Sequence, residues 1–276
     1  LQHAVHVGAG AGHGASHAEV DRGMMALPGI RAFRTLHGVD VGKGFALAVG
    51  HEQAVIGAHH AGEGAAADGG SLGHDVGADV MASSLIKNPG GGIVLSGGYV
   101  AGRQDLIDQI QYRMTCPGIG GECGLTYGQT RTMLQGFFIA PRAANAALKG
   151  AVLCGRTFDK LGFDVSPKAG ELRSDIVQSI KFDDPAKMIA FCEGIQAAAP
   201  VDSFALPVPG DMPGYEDQVI MAAGAFVQGS TIELSADGPM REPYIAYFQG
   251  GLTYEHSKFG VIKAIDTLYK KGLIEI

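Results

Sequence analysis

Nine of the ten histidines precede Asp75, and no Tyr, Asn or Cys occurs before it. This break in composition separates a part of the chain that can build a core from a part that cannot. Stretches such as HVGAGAGHGASHAEV and GAHHAGEGAAADGG carry few large apolar side chains at either the helical or the strand period. Little surface could leave water if they folded. Residues 1–74 are therefore read as an atypical Gly/Ala/His-rich segment, and the burden of folding falls on the remainder.

Two patterns in that segment could carry chemistry. Gly10, Gly12 and Ala15 fit the dinucleotide-binding G-x-G-x-x-A spacing, which would support an NAD-linked oxidoreductase. No clear strand, helix and acidic residue follow at the distances that motif requires, and in so glycine-rich a stretch the match arises by chance. His59 and His60 are imidazoles suited to a transition metal. They lack Cys or carboxylate partners at zinc-site spacing, so no metal is expected.

From Asp75 onward the sequence reads as α/β protein. ADVMASSLI and GIVLSGGYVAG are expected as apolar strands, RQDLIDQIQYRM as a helix, and residues 122–161 as a long helix broken or kinked at Pro141. A second grouping follows. SDIVQSIKF reads as a strand, DPAKMIAFCEGIQAAA as a helix capped by Asp183 or Asp184, and residues 200–214 as a Pro-rich loop. QVIMAAGAFV, STIELSAD and PYIAYFQG read as strands, and residues 254–271 as an amphipathic helix. Residues 75–164 are assigned to one domain and 165–276 to a small α+β domain.

The 276 residues carry a net charge of −7, which argues against a nucleic-acid or anionic-membrane surface. No apolar run approaches the roughly 20 residues of a spanning helix, and residues 1–20 lack the pattern of a secretory signal. A cytoplasmic protein is expected. Cys116, Cys123, Cys154 and Cys192 form no C-x-x-C pair, so reduced, mostly buried thiols are expected rather than a disulfide framework.

The stretch SSLIKNPGGG, residues 83–92, sets one lysine between an apolar run and a glycine-rich turn. A lysine amine near apolar surroundings is retained when paired, when exposed at its tip, or when lowered in pKa to act as a nucleophile. Glycine, lacking Cβ, lets backbone and ligand come close.

The run GADVMASSLIKNPGGGIVLSGGYVAGRQDL, with PVDSF, DMPGYEDQVIMAAGAFVQGSTIELSADGP and YIAYFQGGLTYEH, resembles the aluminium-resistance or methionine γ-lyase-like family. That family belongs to the pyridoxal-phosphate enzymes of cysteine and methionine metabolism. The resemblance covers about residues 75–271. It implies part of a fold type I, aminotransferase-like large domain followed by a small C-terminal domain. It further implies that Lys87 joins covalently to pyridoxal 5′-phosphate and that Ser84 holds the cofactor phosphate. Where relatives often place a second hydroxyl beside the lysine, this chain has Ile86, so the phosphate grip is not copied whole.

Arg241 and Arg173 are candidates for clamping the substrate carboxylate, since a guanidinium can make two parallel hydrogen bonds. Tyr215, Tyr244 and Tyr254 receive no role. The implied reaction is lyase chemistry on an amino acid of the cystathionine, methionine or cysteine type. Substrate displaces Lys87, the freed amine removes the α-proton, and a carbon–sulfur bond is eliminated. A homodimer or homotetramer is implied by the same analogy. The phosphate loop, stacking ring and pyridine-nitrogen acid that such enzymes supply before the lysine are not recognisable in residues 1–74. The alternative expectation is therefore an incomplete, inactive family member.

Overall fold

The structure, a computed structural model, describes residues 6–8, 79–114, 127–173 and 175–275. Almost all of the Gly/Ala/His-rich segment, including the Gly10–Ala15 pattern and His59 and His60, lies outside the described residues. So do Cys116 and Cys123. The chain forms two compact units that divide between Pro141 and Arg142, earlier than the 164/165 boundary read from the sequence.

In the first unit β2 (Val80–Ser84) pairs antiparallel with β3 (Gly98–Gly102), and a short β1 (His6–Gly8) lies on the other side of β3. GIVLSGGYVAG yields a strand only over its last five residues. Gly91, Gly92 and Gly97 take φ of 59°, 81° and 110°, a region that side-chain-bearing residues avoid and that ends an extended run. The connection between β2 and β3 holds one 3₁₀ turn (Asn88–Gly90), too little chain for the helical crossover that a parallel pair requires. All ladders among the described residues are in fact antiparallel. After β3 comes α1 (Gln104–Met114), whose Leu106 and Ile107 pack with Val80 and Val100.

Helix α2 (Thr130–Lys160) continues through Pro141, so the proline does not end the helix there. Proline removes one i→i−4 hydrogen bond, and Pro141 is exposed, so water can serve the carbonyl that loses its donor.

The second unit is a five-stranded antiparallel sheet in the order β4-β5-β8-β7-β6. Its strands are β4 (Asp164–Ser166), β5 (Gln178–Lys181), β6 (Val219–Ala222), β7 (Ser235–Pro239) and β8 (Ile245–Gln249). The helices α3 (Pro185–Ala197) and α4 (Tyr254–Lys270) pack against each other. Val165, Ile180, Ala236, Ala246 and Phe248 from the sheet meet Met188, Phe191 and Ile195 of α3 and Val261, Ala264 and Leu268 of α4 in one core. Phe158 of α2 joins it, edge-on to Phe191 with ring centres 5.2 Å apart.

Asp184 caps α3, its carboxylate accepting from the Ala186 N–H at 2.8 Å. Thr253 caps α4 through the His256 N–H at 3.2 Å. Both hydroxyl or carboxylate caps satisfy donors that a helix start leaves open. This unit mixes α-helices with one antiparallel sheet.

Candidate active site

Lys87 and Ser84 occupy one turn. β2 ends at Ser84, which is in register with Gly98, and the Ile86 N–H turns back to the Ser84 Oγ at 3.3 Å. Lys87 has extended backbone and leads into the 3₁₀ turn, its carbonyl accepting from the Gly90 N–H at 3.0 Å. Both side chains are half-buried. A short hydroxyl and an amine three residues apart are thus presented from the end of the same strand.

The glycines beyond the lysine serve packing within the protein. A Cβ on Gly90 would stand 1.7 Å from the Leu85 carbonyl oxygen, and one on Gly136 of α2 would stand 2.5 Å from the Gly90 oxygen. On Gly91 it would meet Ile139 Cγ1 at 2.6 Å and the Gly136 oxygen at 2.8 Å. The turn that carries Lys87 is therefore seated directly on helix backbone. That seat restricts the lysine's origin more firmly than a solvated loop would.

Three of the eight buried side-chain polar atoms without a partner among the described residues belong to this stretch. Asn88 is 1% exposed, and neither its Oδ1 nor its Nδ2 makes a hydrogen bond. The Ser83 Oγ is likewise buried without one. Tyr99 lies opposite Ser83 in the ladder and edge-on to Phe137 at 5.8 Å. Burial raises its phenol pKa, and the nearby Ser83 hydroxyl tempers the rise without reaching good hydrogen-bond geometry. Unpartnered buried polar groups are uncommon in native proteins, each costing about 1–3 kcal/mol. Sequence reading missed Asn88, although its place directly after the lysine was a usable signal.

The two arginines differ in setting. Arg241 is exposed and paired with Asp217 at 3.2 Å, an arrangement worth little in water. Arg173 is half-buried; its guanidinium donates to the carbonyls of Val177 and Pro167, each at 3.3 Å, and to the Gln178 Oε1. Gln178 is fully buried and in turn donates to the Ser166, Pro167 and Ser179 carbonyls. A Cβ on Gly155 of α2 would stand 2.2 Å from the Gln178 Oε1, so that glycine makes room for the pair.

Arg173 binds at the Gln178 end of β5. Arg241 lies beyond the Lys181 end, where the Phe182 N–H meets the Tyr244 carbonyl. A four-residue strand, about 10 Å long, separates the two, and they do not form a joint clamp. Gln178 and Gly155 escaped sequence reading; a glycine inside an Ala-rich helix costs about 1 kcal/mol against alanine and so signals a packing need.

Among the described residues no cluster of His, Cys, Asp and Glu could hold a metal, and no helix is long and apolar enough to cross a membrane. Cys154 and Cys192 are buried free thiols, each pushed well above its ordinary pKa first of all by desolvation.

Residues 71–269 match the methionine gamma-lyase family model. The uncharacterised Bacillus subtilis protein YnbB is 55% identical over 72% of this chain and 47% of its own length. An uncharacterised 33.9 kDa protein from the glnA 5′ region of Lactobacillus delbrueckii subsp. bulgaricus is 48% identical over 71% of this chain and 64% of its own. Among solved structures, a carbon-sulfur lyase involved in aluminium resistance from Clostridium novyi NT is 58% identical. It superimposes with a TM-score of 0.68, covering 72% of this chain and 46% of that one. The chain thus spans about half the length of several relatives it matches. Family match, shared fold and sequence identity cover the same stretch that carries Lys87 and Ser84, and the chain belongs to the methionine gamma-lyase family.

Proposed function

We propose that this chain carries the lysine-bearing part of a pyridoxal-phosphate-dependent carbon–sulfur lyase of fold type I, acting by elimination on a sulfur amino acid of the cystathionine, methionine or cysteine type. The observation that carries the reading is the shared turn: an amine at Lys87 and a hydroxyl at Ser84, beside the buried, unpartnered amide of Asn88. The likeness to a protein named as a carbon-sulfur lyase supports the reaction class.

The donor set fits the cofactor. A primary amine condenses with an aldehyde, a serine hydroxyl donates to a phosphate oxygen, and an unpartnered amide offers both a donor and an acceptor. When bound, pyridoxal phosphate supplies an electron sink for the pair left as the substrate Cα loses its proton. Lys87 Nζ is the group that would take that proton and return it to the leaving side of the molecule. Ser84 would hold the phosphate, and the backbone seat of the 3₁₀ turn would limit how far the amine can stray. Arg173, half-buried and oriented by neighbouring carbonyls, and Arg241, exposed and paired with Asp217, are the two substrate-carboxylate candidates. We extend the proposal to a cytoplasmic homo-oligomer, by analogy with enzymes of this kind whose sites form between subunits.

The test is borohydride trapping. Pyridoxal phosphate is added to the purified chain, the imine is reduced, and peptides are mapped by mass. The tag is expected on Lys87 and absent in Lys87→Ala. A tag on another lysine, or none, would sink the proposal.

A further inference from the structure

The C-terminal half of α2 has two faces. Ala147, Ala151, Cys154 and Phe158 are buried, whereas Leu148 and Val152, rotated by 100° per residue, turn away from them. Together with Ala169 they form the half-buried floor of a cleft of about 670 Å³, with Tyr254 at the start of α4 also lining it. The size falls within the range of small-molecule sites, which pair an apolar lining with a few placed polar groups.

The charged groups here are two cations, beside the polar Asn145 and Tyr254. Lys149 and Arg156 line the same cleft and are exposed at its mouth. Seven residues apart on one helix, they share a side and stand about 10.5 Å apart along its axis. Among the described residues neither has an acidic partner. Lys168, close in sequence, is paired with Asp159 at 2.9 Å and Asp164 at 3.8 Å. In a chain of net charge −7, two cations without ion partners along one apolar cleft make a local field complementary to an anion.

We propose that this cleft binds an aliphatic dicarboxylate, whose methylenes cover Leu148 and Val152 while its two carboxylates meet Lys149 and Arg156. The two-cation spacing selects a dianion of extended chain over a compact one, and the apolar floor selects an aliphatic body over a hydrated polyol. Nothing in this reading depends on Lys87 or on a cofactor.

The probe is suberate, an eight-carbon dicarboxylate, titrated into the full chain by calorimetry at low salt, with octanoate and 1,8-octanediol as one-charge and no-charge controls. Suberate is expected to bind saturably. Octanoate should bind roughly fivefold more weakly and the diol more weakly still, in line with losing one charge-assisted contact at a time. Lys149→Gln and Arg156→Gln should each weaken suberate roughly fivefold, and the charge-keeping pair Lys149→Arg with Arg156→Lys should retain binding. Both positions are exposed, and an unchanged circular dichroism spectrum verifies that each variant folds. Absence of saturable suberate binding, or equal binding after both Gln substitutions, would overturn the proposal. So would a dimer that Val152→Glu dissociates, since the cleft would then be covered by a second copy.

Discussion

At the level of single residues, burial and not proximity in sequence decides which titratable groups matter. Burial lifts the Asp175 carboxyl above its ordinary 3.8, and the Val177 N–H and the charge of Arg173 offset part of the rise. A carboxyl with a raised folded pKa holds its proton more firmly when folded. Its stabilising contribution is full below 3.8 and is lost as pH climbs through the folded value. Asp175→Asn retains an oxygen for the Val177 N–H, 2.8 Å away. The variant is expected to melt above the parent at pH 7 and level with it at a pH below 3.8. A lower melting temperature at pH 7 would show that the attraction of Arg173 outweighs desolvation.

Glu233 is 2% exposed, and its two side-chain oxygens accept from the Phe226 and Val227 N–H groups, both at 2.9 Å. These two hydrogen bonds tie the loop before β7 to the Glu233 side chain. The residues of STIELSAD before Ser235 are thus buried without joining the strand the sequence pattern suggested.

Among the elements, α2 carries the most unusual sequence for its structure. Its glycines each admit something that a methyl group would displace: Gly136 the Gly90 carbonyl, Gly150 the Ser257 side chain at 2.4 Å, and Gly155 the Gln178 amide. Pro141 admits nothing comparable and is exposed. Pro141→Ala should therefore restore one helical hydrogen bond and raise stability by about 1–3 kcal/mol, read as a shift in the urea midpoint at constant slope. A drop in midpoint would mean that the proline ring itself is packed.

Helix α3 shows how far pattern reading carries. Its apolar run and a cap at Asp183 or Asp184 were visible in sequence because caps and runs are local, and the structure selects Asp184. Its tight contact with α4 was not: a Cβ on Gly194 would fall 2.4 Å from the Ala264 Cα, and that contact spans seventy residues of chain.

For the whole molecule, the two-unit division at Pro141 assigns the second half of α2 to the C-terminal core, where Cys154 and Phe158 are fully buried with Cys192. With their thiolates disfavoured by burial, Cys154 and Cys192 should resist maleimide in the native protein and label only on unfolding. Peptide mapping after timed labelling checks this, and fast native labelling at either site would contradict the packing.

Sequence alone was sufficient for the order of elements after β4 in the second unit, for a cap of α3 narrowed to Asp183 or Asp184, and for the family likeness. These depend on neighbours along the chain or on long runs of identity. Only the tertiary structure decided that Gly90 and Gly91 abut the backbone of α2, that Arg173 is fixed on carbonyls while Arg241 is exposed, and that the Asn88 amide is buried unpartnered. The glycine contacts join segments more than forty residues apart, and side-chain burial and pairing leave no periodicity for a linear reading to find.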